Sequence, residues 1–235
     1  MRHPQPRSPF IRLGLAIAVS LLGAAAAVAQ TTTVGLSTAR SQRFGNDNLT
    51  GIFVPAATDL FAYTLAAGDF NGDGADDLAT GMPYDNGEVG STSRDSGSVV
   101  IRYSTPGGGL TDYQSQVYIR QTADVEPPEQ DDRFGWSLAS CDFNGDHFDD
   151  LAIGVPFENY AGEVNAGAVQ LHLGSSSGLH RTADRFFTQS TDGIAGDVEA
   201  QDRFGYSLAC GDFNSDDFAD LAVGIPYETD WRAGP

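Results

Sequence analysis

The stretch Asp142-Phe143-Asn144-Gly145-Asp146-His147-Phe148-Asp149-Asp150 is one of three versions of the same nine-residue pattern in this chain, and that repetition limits the fold more than any other feature. Residues 69–77 read DFNGDGADD and residues 212–220 read DFNSDDFAD. Each copy carries oxygen-bearing side chains at its first, third, fifth and ninth positions. Calcium takes six to eight oxygens at roughly 2.3–2.6 Å, and a tight loop with this alternation supplies most of them, the seventh residue adding its carbonyl. The sixth position must turn sharply with positive φ. Gly74 does so freely, and His147 and Asp217 are residue types that tolerate the left-handed region.

An EF-hand opens similarly but needs a bidentate Glu at position twelve and a helix on either side. Here the twelfth positions are Thr80, Ile153 and Val223, and the flanks are short apolar runs ended by Gly-x-Pro. Those runs read as strands. A turn held only by Asx hydrogen bonds does not account for a ninth-position Asp in all three copies.

The first 29 residues read as a secretory signal peptide. Arg2, Arg7 and Arg12 precede an apolar run from Leu13 that ends in Ala27-Val28-Ala29 before Gln30. The run, broken by Gly14, Ser20 and Gly23, is short for the roughly 20 residues of a membrane span. The expected location is therefore outside the cytoplasm: extracellular, at the cell surface or periplasmic. No later segment is apolar enough to insert in a membrane.

Of 13 basic residues, all Arg, three lie in that leader, against 32 acids, so the remainder is strongly acidic. Such a charge argues against nucleic acid and anionic lipid as partners. Nine of the acids, three per loop, are read as metal ligands and most of the rest as solvated surface.

The repeat extends beyond the loops. The first-position Asp residues, Asp69, Asp142 and Asp212, are spaced by 73 and 70 residues. Residues 132–139, DRFGWSLA, recur as DRFGYSLA at 202–209, with a degenerate version, FAYTLA, at 61–66. Each loop is followed by Asp-Leu-Ala, Gly-x-Pro, an alternating segment after Gly97 or Gly167, a turn, and a polar-aromatic segment at 116–120 or 185–189. Each unit reads as an inner strand, a buried strand, a half-buried strand and an exposed edge strand, the loop joining the first two. Four strands per repeat, stacked radially, make a β-propeller. Phe134 and Phe204 are placed to fill the seams between blades, and Gly135 and Gly205 to let backbones approach.

The Phe-Gly and Gly-x-Pro pairs bracketing an Asp-x-Asn-x-Asp-x-x-x-Asp loop resemble the FG-GAP repeat of integrin α-subunit propellers, over residues 61–235. The resemblance implies an all-β fold, a seven-bladed propeller of four-stranded blades binding up to three Ca2+ ions in this chain. Carried over by position, the ligands are Asp69, Asn71, Asp73, Asp77 and the Ala75 carbonyl. The second set is Asp142, Asn144, Asp146, Asp150 and the Phe148 carbonyl, and the third Asp212, Asn214, Asp216, Asp220 and the Phe218 carbonyl. Asp76 and Asp149, at the eighth position, fall off the ligand alternation and are left out.

The organisation expected is a leader (1–29), a segment that could supply a ring-closing outer strand (30–60), blades at 61–133 and 134–203, and a partial blade at 204–235. That makes two and a half blades, with the rest expected downstream. The first repeat lacks the Gly after Phe61, which suggests a looser seam. The third is expected to leave Asp220 to Val223 as an unprotected edge, to expose Phe204 and Tyr206, and so to self-associate in isolation. Cys210 aligns with Ser140, one place from Cys141. Side chains alternate along a strand, so the two thiols face either towards each other or directly apart; a bridge needs Cα atoms within about 7 Å, and two free thiols are the expectation.

No catalytic constellation stands out. His147 lies in a metal loop, His172 on a strand and His180 in a turn, none beside a nucleophile motif. The sequence therefore reads as a non-catalytic calcium-binding module for adhesion or extracellular recognition, its partner an unidentified protein or glycan. The loops at 84–95, 157–165 and 227–232 are the candidate recognition surface. The alternative is a propeller appended to a secreted, phospholipase-like hydrolase encoded outside this chain.

Overall fold

Short runs of small and apolar residues flank each acidic loop, and three antiparallel hairpins result. The computed structural model describes residues 58–86, 94–110, 116–119 and 128–229. The leader and nearly all of segment 30–60 lie outside them. Strands β1 (Thr64–Gly68) and β2 (Asp77–Met82) pair with Gly68 opposite Asp77. Strands β7 (Ser137–Cys141) and β8 (Asp150–Val155) pair with Cys141 opposite Asp150, and β11 (Ser207–Gly211) and β12 (Asp220–Gly224) with Gly211 opposite Asp220. The register is the same three times, so each loop is the hairpin connection and its ninth-position Asp opens the second strand.

The first two hairpins grow into four-stranded antiparallel sheets. Strands β3 (Ser98–Arg102) and β6 (Gln116–Ile119) complete the order β1-β2-β3-β6, and β9 (Ala168–His172) and β10 (Arg185–Phe187) complete β7-β8-β9-β10. A two-residue ribbon, β4 (Ser104–Thr105) with β5 (Gly109–Leu110), makes the turn of the first blade. Among the described residues the third hairpin is a two-stranded sheet. The fold is all-β, and its sheets are propeller blades.

The seams follow from Phe and Gly. Phe134 forms an isolated parallel bridge with Gly97, and Phe204 with Gly167, so each blade begins by docking its backbone on the previous one. Phe134 N–H donates to Ser96 O at 2.9 Å and Phe204 N–H to Ala166 O at 2.8 Å. Their rings are buried (0% and 2% exposed). Burial of such a ring is worth roughly 1.5–3 kcal/mol. Phe134 shares a core with Ala79, Val99, Ile101, Leu151 and Ile153, whereas Phe204 packs with Ala139, Ala152, Val169 and Leu171. Adjacent residues of β8 thus feed opposite seams, as strand alternation requires.

Three expectations need correction. The third strand is not half-buried: every residue of β3 and β9 is buried, His172 and Gln170 included, because both faces are covered by packing. Phe204 is not exposed either, since its ring turns back into the seam with the second blade; Phe213, Phe218 and Tyr227 are the exposed aromatics among the described residues of the third repeat. Finally, the missing Gly after Phe61 does not change the backbone. Ala62 takes φ 62°, the left-handed conformation that Gly135 and Gly205 adopt at φ 85°.

Candidate metal-binding loops

Two tight turns shape each loop. The sixth positions, Gly74, His147 and Asp217, have φ of 88°, 73° and 71°, and the fourth, Gly72, Gly145 and Ser215, have 71°, 76° and 65°. The sixth-position turn was legible in the sequence; the fourth was not.

The turns aim backbone N–H groups at the acidic side chains. Asp69 accepts from Asp73 N–H at 3.0 Å and Gly74 N–H at 2.8 Å, Asn71 Oδ1 from Asp73 N–H at 2.9 Å, and Asp73 from Ala75 N–H at 3.0 Å. The second loop repeats this: Asp142 accepts from Asp146 and His147, Asn144 from Asp146, and Asp146 from Phe148. In the third, Asp212 accepts from Asp216 and Asp217, and Asp216 from Phe218. Asp142 and Asp212 accept a further N–H, from Gly145 and Ser215, yet an ionised carboxylate offers about four lone-pair sites and keeps one free. The side chains at positions one, three and five are therefore steered without being used up. The donor set is all oxygen, which fits a hard cation.

The ninth-position Asp has a second job. Asp77 is 1% exposed and accepts from Phe70 N–H at 3.1 Å and, through its other oxygen, from Ser104 N–H at 2.8 Å. Asp150 is fully buried and accepts from Phe143 and Gly174 in the same way, at 3.0 and 2.9 Å. Each ties its loop to the turn that follows the third strand of its own blade. Asp220 accepts from Phe213 N–H at 2.9 Å and from Asn214 Nδ2 at 3.2 Å. Burial first, and then the neighbouring Asp residues, push the Asp77 carboxyl up to about 7 and Asp150 to about 6, against the lowering effect of the N–H bonds.

The eighth position was set aside in the sequence but is not idle. The Asp149 carboxylate crosses the first seam to accept Asp69 N–H at 2.8 Å, while Asp149 N–H donates to Asp69 O at 3.1 Å. Loops also touch through side chains. Phe148 lies against Gly72, and Phe218 against Gly145, so close that a Cβ on either glycine would stand 2.5 Å from the ring.

Cys141 and Cys210 form a disulfide across the second seam. The expectation of free thiols fails because neighbouring inner strands converge: the Cα–Cα distance is 6.4 Å. The repeat offset placed the two cysteines on neighbouring inner strands but did not fix how closely those strands approach.

At the other end of the inner strands an arginine–aromatic row crosses both seams. Arg133 lies 4.6 Å from the ring centroids of Tyr84 and of Phe157, and Arg203 lies 4.8 Å from Phe157 and 4.6 Å from Tyr227. The rings follow Gly-x-Pro and the arginines precede Phe-Gly, so the repeat generates the alternation. Trp136 backs the row, 5.0 Å from Tyr63 and 5.3 Å from Tyr206. This row lines the start of the loops read as the recognition surface, of which 87–93 and 230–232 lie outside the described residues.

Two further groups were not legible in the sequence. Glu199, Asp202 and Glu228 bring carboxylate oxygens within 4.8 Å of one another, the one such acidic set among the described residues. His172, buried, has Nδ1 2.9 Å from His180 O, and His180 Nδ1 lies 2.9 Å from Asp184. Burial lowers the His172 pKa, and both contacts serve the turn between β9 and β10.

Known proteins share this repeat in sequence. The FG-GAP repeat pattern is found at residues 61–101, 134–172 and 204–234. Integrin alpha-PS2 of Drosophila melanogaster is 30% identical over 171 residues, 71% of this chain and 10% of its own length. Integrin alpha-8 of Mus musculus is 33% identical over 167 residues, 70% of this chain and 14% of its own. Phosphatidylinositol-glycan-specific phospholipase D of Bos taurus is 38% identical over 94 residues, 40% of this chain and 11% of its own. The chain spans a small fraction of each of these relatives.

Proposed function

This chain belongs to the FG-GAP repeat family, and from that premise we propose that it is a calcium-binding, non-catalytic propeller module of a secreted protein, used in adhesion or extracellular recognition. The observation that carries the reading is the loop repeated three times with the same N–H groups on its first and fifth side chains and its ninth carboxylate tied back. Asp69, Asn71, Asp73 and Asp77 would hold one ion with the Ala75 carbonyl. The corresponding sets headed by Asp142 and Asp212 would hold two more. A bound cation would offset the mutual repulsion of the three acidic side chains of a loop, so calcium should stabilise the fold by mass action.

Secretion is supported by the leader-like first 29 residues and by the disulfide, a bond that persists in oxidising compartments. No helix among the described residues is long and apolar enough to cross a membrane. The arginine–aromatic row and the loops that begin there form the proposed face for a protein or glycan partner. The phospholipase D similarity favours one second reading, a propeller attached to a hydrolase.

Thermal melting of the mature chain in calcium and in chelator tests the metal reading. A higher midpoint in calcium, and up to three ions bound by titration, are expected; identical midpoints overturn it. Sequencing the reading frame downstream separates the two functional readings. Further repeats with no other domain favour adhesion, and a catalytic domain favours the hydrolase.

A further inference from the structure

The two seams are closed at the loop end by different chemistry at equivalent positions. By the repeat spacing, Cys141 stands where the first blade has Gly68, Cys210 where the second has Ser140, and Ala219 where the second loop has Asp149. At the first seam the Asp149 clasp holds Asp69 by both its N–H and its C=O. A Cβ on Gly68 would stand 2.2 Å from Ser140 Oγ and 2.8 Å from Asp149 Oδ2, so that clasp requires glycine there. At the second seam Ala219 N–H reaches Asp142 O at 3.4 Å and Ala219 offers no carboxylate. The space that an aspartate would take is free for Cys141, which bonds Cys210.

We propose that the eighth loop residue is a positioning residue for the metal loop of the preceding blade, and that the Cys141–Cys210 disulfide replaces it where that residue is Ala219. Both devices act on the first-position aspartate. Asp149 fixes the main chain of Asp69, and the disulfide anchors Cys141, the residue next to Asp142. Each ties neighbouring inner strands together at their loop ends, while at the opposite ends the Thr64 and Ser137 hydroxyls donate to Gly135 O and Gly205 O, and the two devices exclude one another sterically. The first and second metal loops are consequently each completed by the blade that follows, and the clasp, not only the loop's own ligands, determines how well Asp69 and Asp142 are held for a cation.

The test uses the mature chain and three variants: D149A, C141G/C210S, and C141G/C210S/A219D. Midpoints are measured in chelator and in calcium, with calcium affinity resolved by titration. D149A should lower the midpoint in chelator and weaken one site by about tenfold, the size of one hydrogen bond to a charged group. C141G/C210S should do the same to another site, and A219D should restore most of that loss by rebuilding the aspartate clasp. A dithiol, closing to its own cyclic disulfide as it reduces Cys141–Cys210 to two thiols, should mimic C141G/C210S and leave the triple variant unchanged. The calcium arm rests on the metal reading, but the chelator arm does not. If A219D gives no recovery, or D149A melts like the parent in chelator, the proposal is overturned. Should C141G/C210S fail to fold, D149A and the dithiol titration of the parent decide it alone.

Discussion

Cys141 and Cys210 stand 69 residues apart in sequence and 6.4 Å apart at Cα, linked across the seam between the second and third blades. Closing a loop of that length removes chain entropy worth about 4 kcal/mol from the unfolded state. C141A/C210A should therefore lose up to that amount of stability and unfold at a distinctly lower denaturant concentration. Thiol titration of the denatured, unreduced chain should find no free thiol; two would contradict the bond.

Asp146 and Asp150 lie four residues apart in one loop yet should fail differently. Asp146 is exposed and accepts one N–H, from Phe148, with Asn144 Nδ2 also in reach at 3.0 Å. D146A should remove one bound calcium and change stability in chelator by less than about 1 kcal/mol. Asp150 is buried and satisfies the N–H groups of Phe143 and Gly174. D150A should cost roughly 2–4 kcal/mol even in chelator, since two N–H groups lose their partner. Equal losses in chelator would show that Asp150 is a ligand and no more.

The raised pKa values of Asp77 and Asp150 give the metal-free protein a pH dependence of definite sign. An unfolded Asp ionises near 3.9, whereas these protonate at about 7 and about 6 when folded. Between those values the folded state binds more protons than the unfolded state, so stability falls as pH rises. In chelator the melting midpoint should decline from about pH 4 to about pH 7. Calcium, which requires the ionised form, should oppose that decline, so the gain on adding calcium should grow with pH. A chelated midpoint that rises over this window would contradict the burial of these carboxyls.

Gly135 adopts φ 85°, and a Cβ there would stand 2.8 Å from Ser98 O and 2.9 Å from Val99 Cγ2. Left-handed strain and overpacking of the seam add in G135A, for roughly 2–5 kcal/mol. Equilibrium unfolding of this variant against the parent measures it. G162A, with open space around the Cβ, isolates the strain alone and should cost about 1–2 kcal/mol. Equal losses would mean that the seam is less tightly closed than its geometry implies.

Local pattern determined the hairpins, the acidic loops, the sixth-position turns and the two seam phenylalanines. Each depends on residues within one repeat: alternation along a strand marks its faces, and short polar side chains at every second place make a loop that N–H groups can organise. The tertiary structure decided what happens between repeats. Asp149 becomes a clasp, Cys141 finds Cys210, and Arg133 and Arg203 enclose Phe157, because inner strands about 70 residues apart in the chain come together at a seam. The full burial of β3 and β9 was hidden for the same reason. A strand's own sequence reports which side chains share a face, whereas how closely the next blade covers that face is set by the packing of both blades.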